Sequence, residues 1–362
     1  MGGGTKFGYG NPLIRETEPV SIRGLDRILA YEPDDMTISV EAGATIGSVW
    51  RELESRGQTI PIDVPDPDSE TIGGLIATGL CGPRRYGSGS LRDALIGIQA
   101  AYPDATLGNA GGMVVKNVSG FDLMRMHLGA VGTLGVVVSA NFKVLPAARG
   151  EATVTIERDT IEQLEGDRLA VGTGRIRPVS FEARRIDDRW HESVRIEGRP
   201  ATVDLMAREL ADRLGNAVTL SGEESRSHWR AYVTGEALPG SEGQLVMQVR
   251  GKPTEAANTL RTSLAVLDSA GISPDDLRVS LGLGTVRVAA RMDLTAQDAV
   301  SEAIRSLRQH GLSVLILTAP DDIKRAVDAF GTPESTLELM RLLKRQFDPR
   351  SVLNPGRVIP EL

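Results

Sequence analysis

The chain has 362 residues, 41% hydrophobic and 25% charged, which suits two folded domains and excludes a disordered chain. A formal net charge of −7 with no basic block excludes the electrostatic footprint of a nucleic-acid binder, while leaving room for a local cationic pocket. A single cysteine, Cys81, no apolar run of membrane-span length and no signal-peptide pattern point to the cytoplasm, with any membrane association through partners and no direct insertion.

In chain order, residues 37–42 read as a strand ended by Gly43. Thr45 is a helix cap, Ile46, Val49, Trp50 and Leu53 share a helical face, and Gly57 is the stop. A strand follows at 136–145, ended by Pro146. Beyond it glycine thins and amphipathic segments begin. Helical faces are carried by Val203, Met206 and Leu210, by Leu260, Leu264 and Leu267, and by Val300, Ile304 and Leu307. Strands are predicted at 245–249, 285–292 and 313–318, and a long loop at 222–243. This alternation predicts an α+β domain with helices against one face of a sheet. The tail predicts a helix through Leu339, Leu342, Leu343 and Phe347, a stop at Asp348-Pro349 and a turn at Asn354-Pro355-Gly356. So short a tail has no core of its own and must dock on a domain.

Four glycine clusters carry the candidate chemistry. In Gly2-Gly3-Gly4-Thr5-Lys6, backbone N–H groups can converge on an anion, with a hydroxyl and an ammonium nearby. The order is not that of a Walker A loop. Thr71-Ile72-Gly73-Gly74 opens a helix whose first amides would aim at a phosphate, or whose glycines would allow close packing on a strand. Gly82-Pro83-Arg84-Arg85-Tyr86-Gly87 is a turn with two arginines, either of which can be merely solvated. The fourth runs from Lys116-Asn117-Val118-Ser119-Gly120-Phe121-Asp122-Leu123 to Gly129-Ala130-Val131-Gly132-Thr133-Leu134-Gly135-Val136, without a Rossmann GxGxxG.

The order and wording of these motifs resemble the PCMH-type FAD-binding domain of the vanillyl-alcohol-oxidase superfamily, and in particular the FAD-binding subunits of bacterial glycolate oxidases. The resemblance covers residues 1–146 and resumes at Phe347-Asp348-Pro349-Arg350-Ser351-Val352-Leu353-Asn354-Pro355-Gly356. It implies an FAD-binding domain at 1–146, an α+β cap domain at 147–334 and a tail at 335–362 that returns to the FAD domain. It also implies a strand–helix–strand unit ahead of the first loop. Because Met1 stands where that unit's last strand would end, the chain is expected to be N-terminally shortened and to hold FAD more weakly than an extended version.

By the same resemblance, Gly2, Gly3, Gly4 and Thr5 hold the FAD pyrophosphate, and Thr71, Ile72, Gly73 and Gly74 lie on the cofactor. Gly132, Thr133, Leu134, Gly135 and Val136 lie along its adenine side, and Asn354 comes back toward the flavin. Some relatives attach FAD through a histidine in the first loop; residues 2–10 hold none, so FAD is expected to be non-covalent.

Oxidation of a 2-hydroxy acid needs a base near the hydroxyl and a cation for the carboxylate. The four histidines, His127, His191, His228 and His310, are scattered and supply no evident base. Strand alternation puts Arg287 and Arg291 on one face, where they would hold a carboxylate or simply face solvent. The resemblance implies an oxidoreductase subunit of a complex with a second flavin subunit and an iron–sulfur subunit, acting on a small 2-hydroxy acid. Two other readings remain open: a self-sufficient FAD-linked dehydrogenase, and an assembly subunit that has lost FAD.

Overall fold

A computed structural model describes residues 1–113, 122–236, 243–292 and 296–362. The chain divides into two compact units: 1–82, 89–147 and 332–362 form the first, and 83–88 and 148–331 the second.

The first unit is built on strands β1 (Ile28–Glu32), β2 (Thr37–Glu41), β3 (Gln58–Thr59), β4 (Leu95–Ala101), β5 (Leu107–Gly111), β6 (Val136–Lys143) and β7 (Leu145–Pro146). A five-stranded antiparallel sheet has the order β1-β2-β6-β4-β5, and β3 pairs with β7. Strand β2 is buried along its whole length. Its Ile38 and Val40 pack with Phe142 of β6 and with Ile46, Val49 and Leu53 of the helix Ile46–Glu54. Thr45 caps that helix by accepting from the Ser48 amide (3.2 Å). The helix Ile72–Thr78 completes this core with Ile72, Leu75 and Ile76.

The predicted strand at 136–145 is split in two. Pro146, expected as its end, instead pairs with Gln58 in β7. Proline is tolerated there because an edge pair of two residues demands little of the ladder.

The second unit holds β8 (Gly150–Arg158), β9 (Ser180–Ile186), β10 (Arg189–Gly198), β11 (Val218–Ser221), β12 (Gln244–Arg250), β13 (Asp276–Ser280), β14 (Thr285–Arg291) and β15 (Ser313–Thr318). They form one sheet in the order β11-β8-β10-β9-β13-β14-β12-β15. One face is apolar, with Val154, Phe181, Val194, Met247, Val279 and Val288. The helices Ile161–Thr173, Pro200–Leu214, Ala256–Ser269 and Gln297–Gln309 bury Leu164, Leu210, Leu260 and Ile304 in the same core.

The opposite face is polar yet substantially buried: Glu151, Thr153, Glu182, Arg195, Arg278 and Ser280 are all nearly inaccessible. Part of its cover is the helix Glu223–Thr234, where the sequence pattern predicts a loop. Trp229 Nε1 donates to Thr153 Oγ1 (2.8 Å), and Ser225 Oγ donates to Glu151 (2.8 Å). A helix laid on a polar floor keeps serine at a buried position, so its apolar periodicity is too sparse to read.

The segment 83–88, which holds most of the turn read from the sequence at 82–87, belongs to this unit. The Gly87 amide bonds the Val179 carbonyl (3.1 Å), and Arg84 pairs with Glu197 (2.7 Å).

Candidate functional site

The first-loop glycines lie on the segment that leads into the helix Ile72–Thr78. A Cβ at Gly2 would overlap Thr71 Oγ1, and one at Gly3 would overlap the Ser69 carbonyl oxygen, so two clusters far apart in sequence meet through a contact that only glycine allows. Arg23 donates from Nε to the Gly2 carbonyl and from Nη2 to the Gly3 carbonyl, both at 3.1 Å. In a trans peptide the next N–H points opposite to the carbonyl, so the amides of Gly3 and Gly4 face away from the guanidinium. The N–H groups of Gly2, Gly3, Gly4 and Thr5 have no acceptor among the described residues. A run of such amides is able to accept an anion where the N–H groups converge. Lys6 does not extend it, because its ammonium is paired with the buried carboxylate of Glu70.

The second cluster corrects one expectation. The first amides of the helix Ile72–Thr78 are already used: Ile72 donates to the Ala44 carbonyl (3.0 Å), Gly73 to the Ala42 carbonyl (2.7 Å) and Gly74 to Thr71 Oγ1 (3.2 Å). They are not aimed at a phosphate. Gly73 serves packing, since a Cβ there would come within 3.0 Å of the Ala42 carbonyl oxygen.

The far end of the same helix meets the fourth cluster. Gly129 and Val131 donate to the Ile76 and Ala77 carbonyls (2.9 and 2.8 Å). Val131 and Gly132 both have left-handed backbones, with φ of 51° and 65°. Thr133 closes the turn, donating from its amide (2.9 Å) and its hydroxyl (2.7 Å) to the Ala130 carbonyl. Asn354 reaches in from the tail, and its Nδ2 donates to the Val131 carbonyl (2.7 Å).

Leu134 is buried and Val136 begins β6. Gly135 sits under a pair of rings: a Cβ there would lie 3.0 Å from both Tyr102 and His127. Tyr102 Oη and His127 Nε2 share a hydrogen bond of 3.2 Å, and Phe347 packs on both rings. Burial lowers the His127 pKa below the ordinary histidine value. Most of the motif that begins at Lys116 falls on 114–121, outside the described residues.

The sequence pattern missed Lys344. Its ammonium is buried, although a lysine on an amphipathic helix reads as a surface residue. It donates to the Thr133 carbonyl (2.8 Å), the Leu353 carbonyl (2.8 Å) and Asp348 Oδ2 (2.7 Å). Asp348 in turn accepts from the amides of Val352 (3.0 Å) and Leu353 (2.8 Å). Burial lowers the Lys344 pKa, opposed by Asp348. Burial also raises that of Asp348, but the Lys344 and amide hydrogen bonds outweigh it and leave the carboxyl below its ordinary range. The signal available in sequence was the Lys-to-Asp spacing of four at the helix end.

In the second unit, Arg287 and Arg291 do share a face of β14, but neither is an idle surface cation. Arg287 is buried and donates to the Glu236 carbonyl (2.8 Å), and burial lowers its pKa. Arg291 is exposed and pairs with Asp275 (3.3 Å). The histidines of this unit are engaged one by one: His228 with Ser193 Oγ (2.9 Å), His191 near Glu157 (3.8 Å) and His310 with the Ser306 carbonyl (2.8 Å). Among the described residues no group of histidine, cysteine and carboxylate side chains could hold a metal ion. Nor is any helix among them long and apolar enough to cross a membrane.

Comparison with known proteins agrees with the geometry of the first unit. Residues 1–111 match the family model described as an FAD binding domain. Glycolate oxidase subunit GlcE of Escherichia coli (strain K12) is 29% identical over 366 residues, covering 100% of this chain and 92% of that protein. D-lactate dehydrogenase of Archaeoglobus fulgidus is 24% identical over 395 residues, covering 100% of this chain and 85% of the other. A solved structure of alkyldihydroxyacetonephosphate synthase superposes with a TM-score of 0.65 at 15% identity, covering 92% of this chain and 67% of that one, a likeness of fold. Residues 1–111 thus match an FAD-binding domain, and the chain is an FAD-binding oxidoreductase related to glycolate oxidase subunits and D-lactate dehydrogenases.

Proposed function

We propose that this chain is the FAD-binding subunit of a glycolate-oxidase-like complex and that its FAD is bound non-covalently. The observation that carries the reading is the set of first-loop amides that have no acceptor among the described residues, on a backbone whose carbonyls Arg23 holds. The pyrophosphate would lie on Gly2, Gly3, Gly4 and Thr5. Thr71, Ile72, Gly73 and Gly74 would contribute close surface rather than free donors. Gly132, Thr133, Leu134, Gly135 and Val136, with Asn354, would border the cofactor elsewhere. In this reading residues 1–146 and the tail 335–362 form the FAD-binding domain and 147–334 the cap.

Bound FAD supplies the electron acceptor that side chains lack. The chain's own contribution is to hold an anion on backbone amides, exclude water from the buried turn and offer a cation to substrate. That cation is the exposed Arg291, with Arg287 bracing the strand from within. The relatives named as a glycolate oxidase subunit and a D-lactate dehydrogenase support a small 2-hydroxy acid as substrate. A relative named as a subunit supports assembly with other subunits; we take these to be a second flavin subunit and an iron–sulfur subunit, with the chain in the cytoplasm or at a membrane through those partners.

Acid precipitation of the FAD-loaded chain tests the attachment. Yellow chromophore is expected in the supernatant, and colour retained in the pellet overturns non-covalent binding. Replacing Arg291 with Ala is expected to raise the substrate KM, and an unchanged KM removes the arginine from the site.

A further inference from the structure

Lys344 carries an inference beyond the contacts of the flavin itself. A lysine ammonium has three donors and no acceptor. Here all three are spent on oxygens 2.7 to 2.8 Å away, in a side chain that is 2% exposed. Two of the acceptors are main-chain carbonyls on segments 220 residues apart, Thr133 and Leu353. They adjoin Gly132 and Asn354, which approach closely: a Cβ at Gly132 would come 3.0 Å from Asn354 Nδ2, and the left-handed φ of 65° there favours glycine.

A salt link for stability alone would need only the Asp348 carboxylate, which stands at the C-terminal cap of Lys344's own helix, Glu334–Phe347. The two carbonyl bonds do something else. They hold the turn after the left-handed pair Val131–Gly132 and the left-handed Asn354 (φ 42°) in one mutual geometry. Such backbones persist only where their surroundings over-determine them.

We propose that Lys344 is a positioning residue for cofactor binding, a buried ammonium clasp that sets the Gly132–Thr133 turn against Asn354 so that both present one preformed edge to FAD. The inference rests on the flavin-binding reading above. It adds a residue that touches no cofactor and acts through the backbone of two segments that do.

The test is FAD titration of the full chain carrying Lys344→Met together with Asp348→Asn, which removes the ammonium without stranding a buried carboxylate. The variant is expected to bind FAD about tenfold more weakly or worse, since the two carbonyl bonds that join the segments are lost with the ammonium. At saturating FAD its visible circular dichroism should also be altered, a signal that a purely structural role would not move. If the wild-type chain itself binds no FAD, the flavin reading fails and not the clasp alone. If wild type binds and the variant matches it in affinity and dichroism, the clasp proposal is overturned.

Should the variant not fold, hydrogen exchange on the wild-type chain decides. FAD is expected to slow the amides of Val352 and Leu353, which bond Asp348, together with those of residues 132–135. Protection confined to 132–135 would overturn the coupling.

Discussion

Gly2 and Gly3 show how much of the candidate site depends on the absence of a single carbon. Each faces an oxygen of the segment 69–71 where a Cβ has no room. Gly3→Ala is therefore expected to displace the loop and weaken FAD binding by about tenfold or more, while the melting temperature of the apo chain changes little, because the loop adds almost nothing to the core. Unchanged affinity in a titration would remove the loop from the site.

A second residue makes a prediction about pH. Glu192 stands on the apolar face of β10 between Trp190 and Val194, and neither of its carboxyl oxygens has a hydrogen-bond partner among the described residues. Burial, then the nearby Asp167, push its pKa well above the ordinary range. A raised folded-state pKa means the folded protein holds the proton longer than the unfolded chain does. The contribution is complete below the ordinary glutamate value of about 4.3 and is lost as pH rises toward the folded-state value. Wild type should thus lose melting temperature between mildly acidic and alkaline pH, and Glu192→Gln should flatten that slope. Parallel slopes would show that Glu192 titrates normally.

At the scale of elements, those that pack on an apolar core were legible. The strand read at 37–42 is β2, the face of Ile46, Val49 and Leu53 is the helix Ile46–Glu54, and the strand read at 313–318 is β15. Each has hydrophobic side chains at the period of its own geometry. The helix Glu223–Thr234 did not announce itself, because it packs through Ser225, Trp229 and Tyr232 on buried polar groups. Lys344 escaped for a related reason: the Thr133 carbonyl it meets lies 211 positions away, and a local pattern cannot register so distant a partner.

The position of the helix Glu223–Thr234 can be checked through Trp229, which is fully buried, donates to Thr153 and lies under the Arg195 guanidinium (5.5 Å from the ring centre). Trp229→Ala is expected to cost about 3–5 kcal/mol of unfolding free energy in a urea titration, as for other large core truncations. A loss near zero would mean that the helix lies free of the sheet.

For the whole molecule, the division of chemistry follows the division into units. The first unit collects the first glycine loop, the left-handed turn at Val131–Gly132 and the buried Lys344. The glycine motifs that fill it were readable because their backbone demands permit few other residues. The second unit offers a large sheet whose polar face carries buried pairs such as Arg278 with Asp276 and Ser280 with Glu182. Its histidines are each engaged locally, His228 with Ser193, His191 near Glu157 and His310 with the Ser306 carbonyl.

The most direct test is the visible absorption spectrum of the freshly purified full chain, before and after FAD is added and free cofactor removed. A folded chain that holds FAD stoichiometrically, with bands sharpened relative to free flavin, is the expected result. A folded chain that shows no flavin bands even after incubation with FAD would contradict the central claim.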